Sequence, residues 1–167
     1  MENLWSLKAS EISKLYLSNE ISLDEIISSV EERFNQVNPK INAIPESTFE
    51  YARKQAKLLD ENKINNKPLG CLAGVPVTVK INTDQTGFAS TNGLRLNKSL
   101  IAHKNSTVVD NLEKAGALII GRTNTPAFSI RWFTNNSLHG HTFNPHNKNI
   151  TPGGSSGGAA SATASGI

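Results

Sequence analysis

Apolar residues in the first third of the chain recur at helical spacing. Ile26, Ile27, Val30, Phe34 and Val37 line one face of a periodic segment. Ser22 stands three positions before Glu25 as a capping box, with Ile21 and Ile26 placed as a hydrophobic staple. Asn38-Pro39 predicts the end of that helix, because the residue before a proline is pushed out of helical geometry. Ser47 and Glu50 repeat the capping-box signal ahead of a stripe of Phe49, Ala52, Ala56 and Leu59. A weaker helix is predicted from about Leu7 to Leu17, so residues 6–62 read as helical.

The pattern changes at Lys67-Pro68-Leu69-Gly70. Residues 74–81 read as a strand with Val75, Val77, Val79 and Ile81 on one face and Thr78 and Lys80 on the other. Asn82 to Asn92 is a polar connection. Ser106 is placed to cap a helix that buries Val108, Val109, Leu112 and Ala115, with Gly116 just past its end. Ala117-Leu118-Ile119-Ile120 predicts a short buried strand closed by Gly121. Helix, glycine, apolar strand is an α/β signature. Residues 124–158 are loop-rich, with Pro126, Pro145 and Pro152. Residues 159–167, all small until Ile167, predict the opening turns of a helix that looks cut short.

The 167 residues form one domain by size, and 37% hydrophobic with 19% charged residues fits a soluble globular chain. The net charge of +3 is spread without a basic run, which argues against nucleic-acid binding. The lone Cys71 excludes an intramolecular disulfide and suits a reducing, cytoplasmic setting. Met1-Glu2-Asn3-Leu4-Trp5-Ser6 lacks the apolar core of a signal peptide, and no stretch is long and apolar enough to span a bilayer.

Two places could carry chemistry. Lys80 ends an apolar strand, where desolvation lowers a lysine pKa and makes the neutral amine a competent base; the plain alternative is a strand-end lysine reaching solvent. The second is Thr151-Pro152-Gly153-Gly154-Ser155-Ser156-Gly157-Gly158-Ala159-Ala160, two adjacent serines framed by glycines. It lacks the Lys-Ser/Thr of a phosphate loop and the preceding strand of a dinucleotide loop. Gly154-Ser155-Ser156-Gly157-Gly158 matches a nucleophile elbow in spelling only, with no strand before it and no acid and histidine after it. His139, His141 and His146 have no acid or cysteine at ligand spacing, so no metal is expected. Asn124, Asn135, Asn136 and Asn144 read as ties for irregular backbone.

Gly74-Val75-Pro76-Val77-Thr78-Val79-Lys80, then Lys114 to Pro126, Gly140-His141-Thr142-Phe143-Asn144-Pro145 and the glycine-serine loop together resemble the amidase signature family of Ser-Ser-Lys hydrolases. The likeness covers nearly the whole chain. It implies an α/β/α fold with a central mixed sheet, begun by strands at about 75–81 and 117–121 and incomplete at the C-terminus. Residues 1–62 would be a helical N-terminal part of a single partial domain, 1–167, and residues 70–167 the start of the catalytic core. The resemblance assigns Lys80 as general base and Ser155, after a cis peptide bond, as the bridging serine. Gly153, Gly154, Ser156, Gly157 and Gly158 would form the loop around the substrate.

The same resemblance puts the attacking serine and its oxyanion hole past Ile167. The chain is therefore expected to be the N-terminal part of an amidase, inactive alone, with an exposed sheet edge that promotes self-association. It implies a small-molecule amide substrate, no cofactor, no membrane and no nucleic acid, with a homo-oligomer or a complementing C-terminal half as possible partners. Ile81 and Ala127 replace acids found in many members, which leaves the substrate open. Two rivals remain: the amidase component of a tRNA-dependent amidotransferase, and a non-catalytic amidase-like binding module.

Overall fold

The computed structural model describes residues 3–167; Met1 and Glu2, the start of the segment read above for a signal peptide, lie outside the described residues. Three helices come first: α1 (Ala9–Leu17), α2 (Leu23–Ile41) and α3 (Phe49–Ile64). A two-residue strand, β1 (Glu46–Ser47), precedes α3. Then come β2 (Pro76–Lys80), α4 (Thr107–Lys114) and β3 (Leu118–Thr123). A small hairpin of β4 (Asn135–Asn136) and β5 (Gly140–His141) leads to α5 (Gly157–Ala164).

The main sheet has the order β1-β3-β2, with β1 antiparallel and β2 parallel to β3, so it is mixed as expected. The parallel pair is joined through α4, the crossover that parallel strands require. Val77 faces Ile119 but Thr78 faces Gly121, leaving Ile120 as a bulge residue on β3. Helices cover both faces. Leu118 and Ile120 pack with Ile26, Ile27 and Phe49 of the α2–α3 layer. Ile119 and Val79 pack on the other side with Val109 of α4. The alternation of strand side chains thus produces the α/β/α layering. Among the described residues, no strand lies on the outer edge of β2, and no helix is long and apolar enough to cross a membrane.

The Ser22 box forms as predicted: Glu25 N–H donates to Ser22 Oγ (3.2 Å) and Ser22 N–H to Glu25 Oε2 (2.8 Å). The helix does not stop at Pro39, however; it runs to Ile41. Asn38 closes the turn instead. Its carbonyl accepts from Asn42 N–H, and its Oδ1 accepts from Ala43 and Ile44 N–H at 3.0 and 2.9 Å. The Ser47 capping box is absent. Residues 46–47 are drawn into the sheet as β1, and Thr48 takes the N-cap position. Its hydroxyl is spent on Ile119 O (2.7 Å), a sheet carbonyl.

Ser106 occupies the N-cap of α4, but its hydroxyl makes no capping bond and is buried without a partner. Only Val109 of the expected apolar face is fully buried there, while Val108 is 59% exposed. At the other end, Gly116 N–H bonds Glu113 O and Ala117 N–H bonds Leu112 O, a full Schellman closure. β3 continues past Gly121 to Thr123. Helix α5 begins at Gly157, inside the glycine-serine run, and it ends at Ala164 rather than running off the chain. Gly166 and Ile167 N–H close it onto Thr163 and Ala162 carbonyls.

Candidate active site

Lys80 is the last residue of β2, and α5 packs against that strand from the face Lys80 shares with Thr78. Lys80 Nζ donates to Ser155 Oγ at 2.8 Å and reaches Ser156 Oγ at 3.3 Å. The amine is part-buried and turned onto the serine pair. Burial pulls its pKa below the ordinary lysine range, and desolvation is the whole of that effect. Ile81, fully buried behind it, adds no charge that would oppose the shift.

The turn after Lys80 is held from below. Arg122, paired with Val79 across the sheet, donates from Nη2 to the carbonyls of Ile81 (3.3 Å) and Thr83 (3.0 Å). Its guanidinium is fully buried, with Glu46 Oε2 at 3.5 Å as counter-charge. Burial pushes the Glu46 carboxyl up, an effect the Arg122 cation offsets in part.

The serine pair sits on a loop fixed at several points. The Gly154–Ser155 peptide bond is cis. Ser155 O accepts from Thr125 Oγ1 (3.1 Å). Thr134 Oγ1 donates to Gly153 O and accepts from Gly157 N–H, at 3.1 and 3.0 Å. Close approach explains the glycines. A Cβ on Gly154 would stand 2.5 Å from Arg131 O and Phe133 N, and one on Gly158 would stand 2.5 Å from Asn124 N and O. Gly157 and Gly158 belong to the first turn of α5, not to the loop.

Asn124 and Asn136 tie this region as expected. Asn136 Nδ2 donates to Asn124 Oδ1 (2.8 Å) and Thr125 O (2.7 Å), and Asn124 Nδ2 reaches Thr142 Oγ1 (3.0 Å). Asn144 caps its own loop. Asn135 is exposed in β4 and ties nothing central. Thr125 and Thr134 were missed as site residues; the only signal was that Thr125 precedes Pro126 directly after β3. His139 lies 3.2 Å from Thr91 Oγ1, and burial and the Arg122 cation both lower its pKa. Among the described residues, no three His, Cys, Asp or Glu side chains gather as metal ligands. Cys71 is exposed and free.

An amine hydrogen-bonded to one hydroxyl, with a second hydroxyl in reach, is an arrangement that can move a proton along serines. The family model described as Amidase matches residues 25–167. The chain belongs to the amidase signature family. An indoleacetamide hydrolase from Bradyrhizobium diazoefficiens is 44% identical over 164 residues, 98% of this chain and 31% of that protein. A glutamyl-tRNA(Gln) amidotransferase subunit from Fusobacterium nucleatum is 40% identical over 97% of this chain and 33% of that protein. The crystal structure of a bacterial aryl acylamidase of the amidase signature family superposes with a TM-score of 0.89 at 34% identity, covering 95% of this chain and 33% of that one. The chain thus spans about a third of the length of the amidase relatives it matches.

Proposed function

We propose that this chain supplies the proton-transfer part of an amide C–N hydrolase that works through an acyl-enzyme. The observation that carries the reading is the 2.8 Å bond from a part-buried Lys80 amine to Ser155 Oγ. In this scheme neutral Lys80 accepts the Ser155 proton while Ser155 takes the proton of an attacking serine hydroxyl. That oxygen adds to the amide carbonyl, and the C–N bond breaks on collapse. The lysine's extra proton returns through Ser155 to the leaving amine, and water then cleaves the ester. The attacking hydroxyl belongs, on this reading, to the further length that the relatives carry and this chain does not cover.

The test pairs residues 1–167 with the remaining two-thirds of the Bradyrhizobium relative, co-expressed as separate polypeptides. Hydrolysis of an aryl-acetamide is expected from the reconstituted pair, with Lys80→Ala and Ser155→Ala each lowering kcat by about 10³-fold or more. Turnover by either variant within a few-fold of the parent would overturn the assignment.

A second reading, a component of a tRNA-dependent amidotransferase, is favoured by the 40% identity to such a protein. It requires co-purification with the other components and glutamine-dependent amide transfer, neither of which a stand-alone hydrolase would show.

A further inference from the structure

Strand β3 opens apolar, with Leu118, Ile119 and Ile120, and runs out into Arg122-Thr123-Asn124-Thr125, a polar series in which no residue is more than 1% exposed. Four buried polar side chains in succession add no apolar surface to the core, and burying each is unfavourable unless its hydrogen bonds are made. Stability does not account for the Arg122–Glu46 pair either, since apolar residues of similar volume often hold a core as well as a buried ion pair does. The partners of these four residues show what the series is for.

Their bonds divide between the two sides of the Lys80–Ser155 contact. On the lysine side, Thr123 faces Lys80 in the register. Its carbonyl accepts from Ile81 N–H (3.0 Å), and its hydroxyl donates to Val79 O (3.4 Å). Arg122 Nη2 spans the carbonyls of Ile81 and Thr83 at 3.3 and 3.0 Å. Residues 79, 81 and 83 are thus all held from β3, on both sides of Lys80. On the serine side, Thr125 Oγ1 donates to Ser155 O (3.1 Å). Thr125 is itself fixed, its N–H donating to Asn124 Oδ1 (3.0 Å) and its carbonyl accepting from Asn136 Nδ2 (2.7 Å). Asn124 N–H is anchored on Ala43 O (2.9 Å). One short run of chain therefore holds both partners of a bond that spans 75 residues.

We propose that Arg122 and Thr125 are positioning residues that set the Lys80–Ser155 spacing from opposite sides, and that proton transfer between the two depends on them. Arg122 acts through the Ile81 and Thr83 carbonyls, which fix the chain where it leaves β2 beside the lysine. Thr125 acts through the Ser155 carbonyl, which fixes the backbone from which the hydroxyl projects. An amine and a hydroxyl 2.8 Å apart pass a proton only while that spacing holds, and a displacement of about 1 Å costs about 10²-fold in rate. The effect on rate rests on the Lys80–Ser155 relay reading; the control of spacing does not.

Spacing is read in the 13C,15N-labelled 167-residue chain as the NOE between the Lys80 ε-methylene and the Ser155 β-methylene, with a Val79–Ile119 methyl NOE as reference. Rate is read in the co-expressed pair with an aryl-acetamide. Thr125→Val keeps the shape and removes the hydroxyl. It is expected to weaken the Lys80–Ser155 NOE at least about twofold and to lower kcat about 10- to 100-fold. KM should stay within about twofold, and Thr125→Ser should restore both NOE and kcat. Arg122→Met strands the Glu46 carboxylate, so it is compared with Arg122→Met/Glu46→Leu, which removes both charges. The double variant should recover Tm but neither the NOE nor kcat. A parent-like NOE and kcat in Thr125→Val, a loss confined to KM, or recovery of kcat together with Tm in the double variant would each overturn the proposal. Parent-like turnover by Lys80→Ala and Ser155→Ala, beside a weakened NOE in Thr125→Val, would sink the relay reading and leave the control of spacing standing.

Discussion

Lys80 Nζ and Ser155 Oγ meet at 2.8 Å although 75 residues separate them in the chain. The contact arises because β2 delivers the lysine at its C-terminal end while α5 packs on the same sheet face, directly after the serine loop. The bond holds the amine where desolvation, not a neighbouring charge, sets its protonation.

Lys80 should therefore titrate below every exposed lysine of the chain, observable by NMR after reductive 13C-methylation. Its depressed pKa also means that the unfolded chain binds more protons in the interval between the folded and ordinary values. Stability contributed through this group thus rises with pH across that interval and is lowest below it. Lys80→Met should raise Tm at neutral pH, and the gain should vanish as pH climbs past about 10.4, the ordinary lysine value. A Tm gain that persisted above that pH would contradict the burial account.

The tight packing of the serine loop predicts a contrast between two glycines. Gly158→Ala would press a methyl group against the Asn124 backbone, which has no flexible end to move aside. It should cost about 3 kcal/mol in urea unfolding. Gly153 has open space around it and a φ of 89°, so Gly153→Ala should cost only the left-handed penalty of about 1–2 kcal/mol. Equal losses at the two positions would mean that the Asn124 backbone yields and that contact with it does not require glycine at Gly158.

Thr48 and Ser47 test where α3 really begins. Thr48→Ala removes a buried bond to Ile119 O and should destabilise by about 1 kcal/mol. Ser47→Ala removes nothing the structure uses and should stay within about 0.5 kcal/mol by the same measurement. The reverse order would restore the capping box at Ser47.

At the start of α2, the Ser22 N–H and then its hydroxyl hold the Glu25 carboxyl below its usual range. A depressed carboxyl pKa adds stability above the unfolded value and loses it as pH falls through the folded one. Glu25→Gln should therefore lower Tm at neutral pH, and the difference from the parent should shrink as pH falls below the ordinary glutamate value of about 4.3. Scanning calorimetry across that range checks the sign: a gap that widened on acidification would exclude the capping interaction as its source.

Periodicity and local chemistry along the chain determined where the helices and both long strands lie, and which faces they bury. Those signals are short-range: a capping box spans three residues, and an apolar stripe repeats every turn. The glycine-serine run and its match to a known family likewise picked out Lys80 and Ser155 as partners. Only the tertiary structure decided the rest. It turned Ser47 into a sheet residue, because β3 offered β1 unpaired strand edge and Thr48 a carbonyl. It carried α2 through Pro39, because Asn38 had backbone groups five and six residues ahead to hold. It moved Gly157 and Gly158 into a helix, where their missing side chains let α5 meet Thr134 and Asn124. It also gathered Thr125, Thr134 and the exposed stretch 128–133 around the serines. Each of these depends on groups distant in sequence becoming neighbours, and no local pattern encodes the position of a partner that arrives through folding.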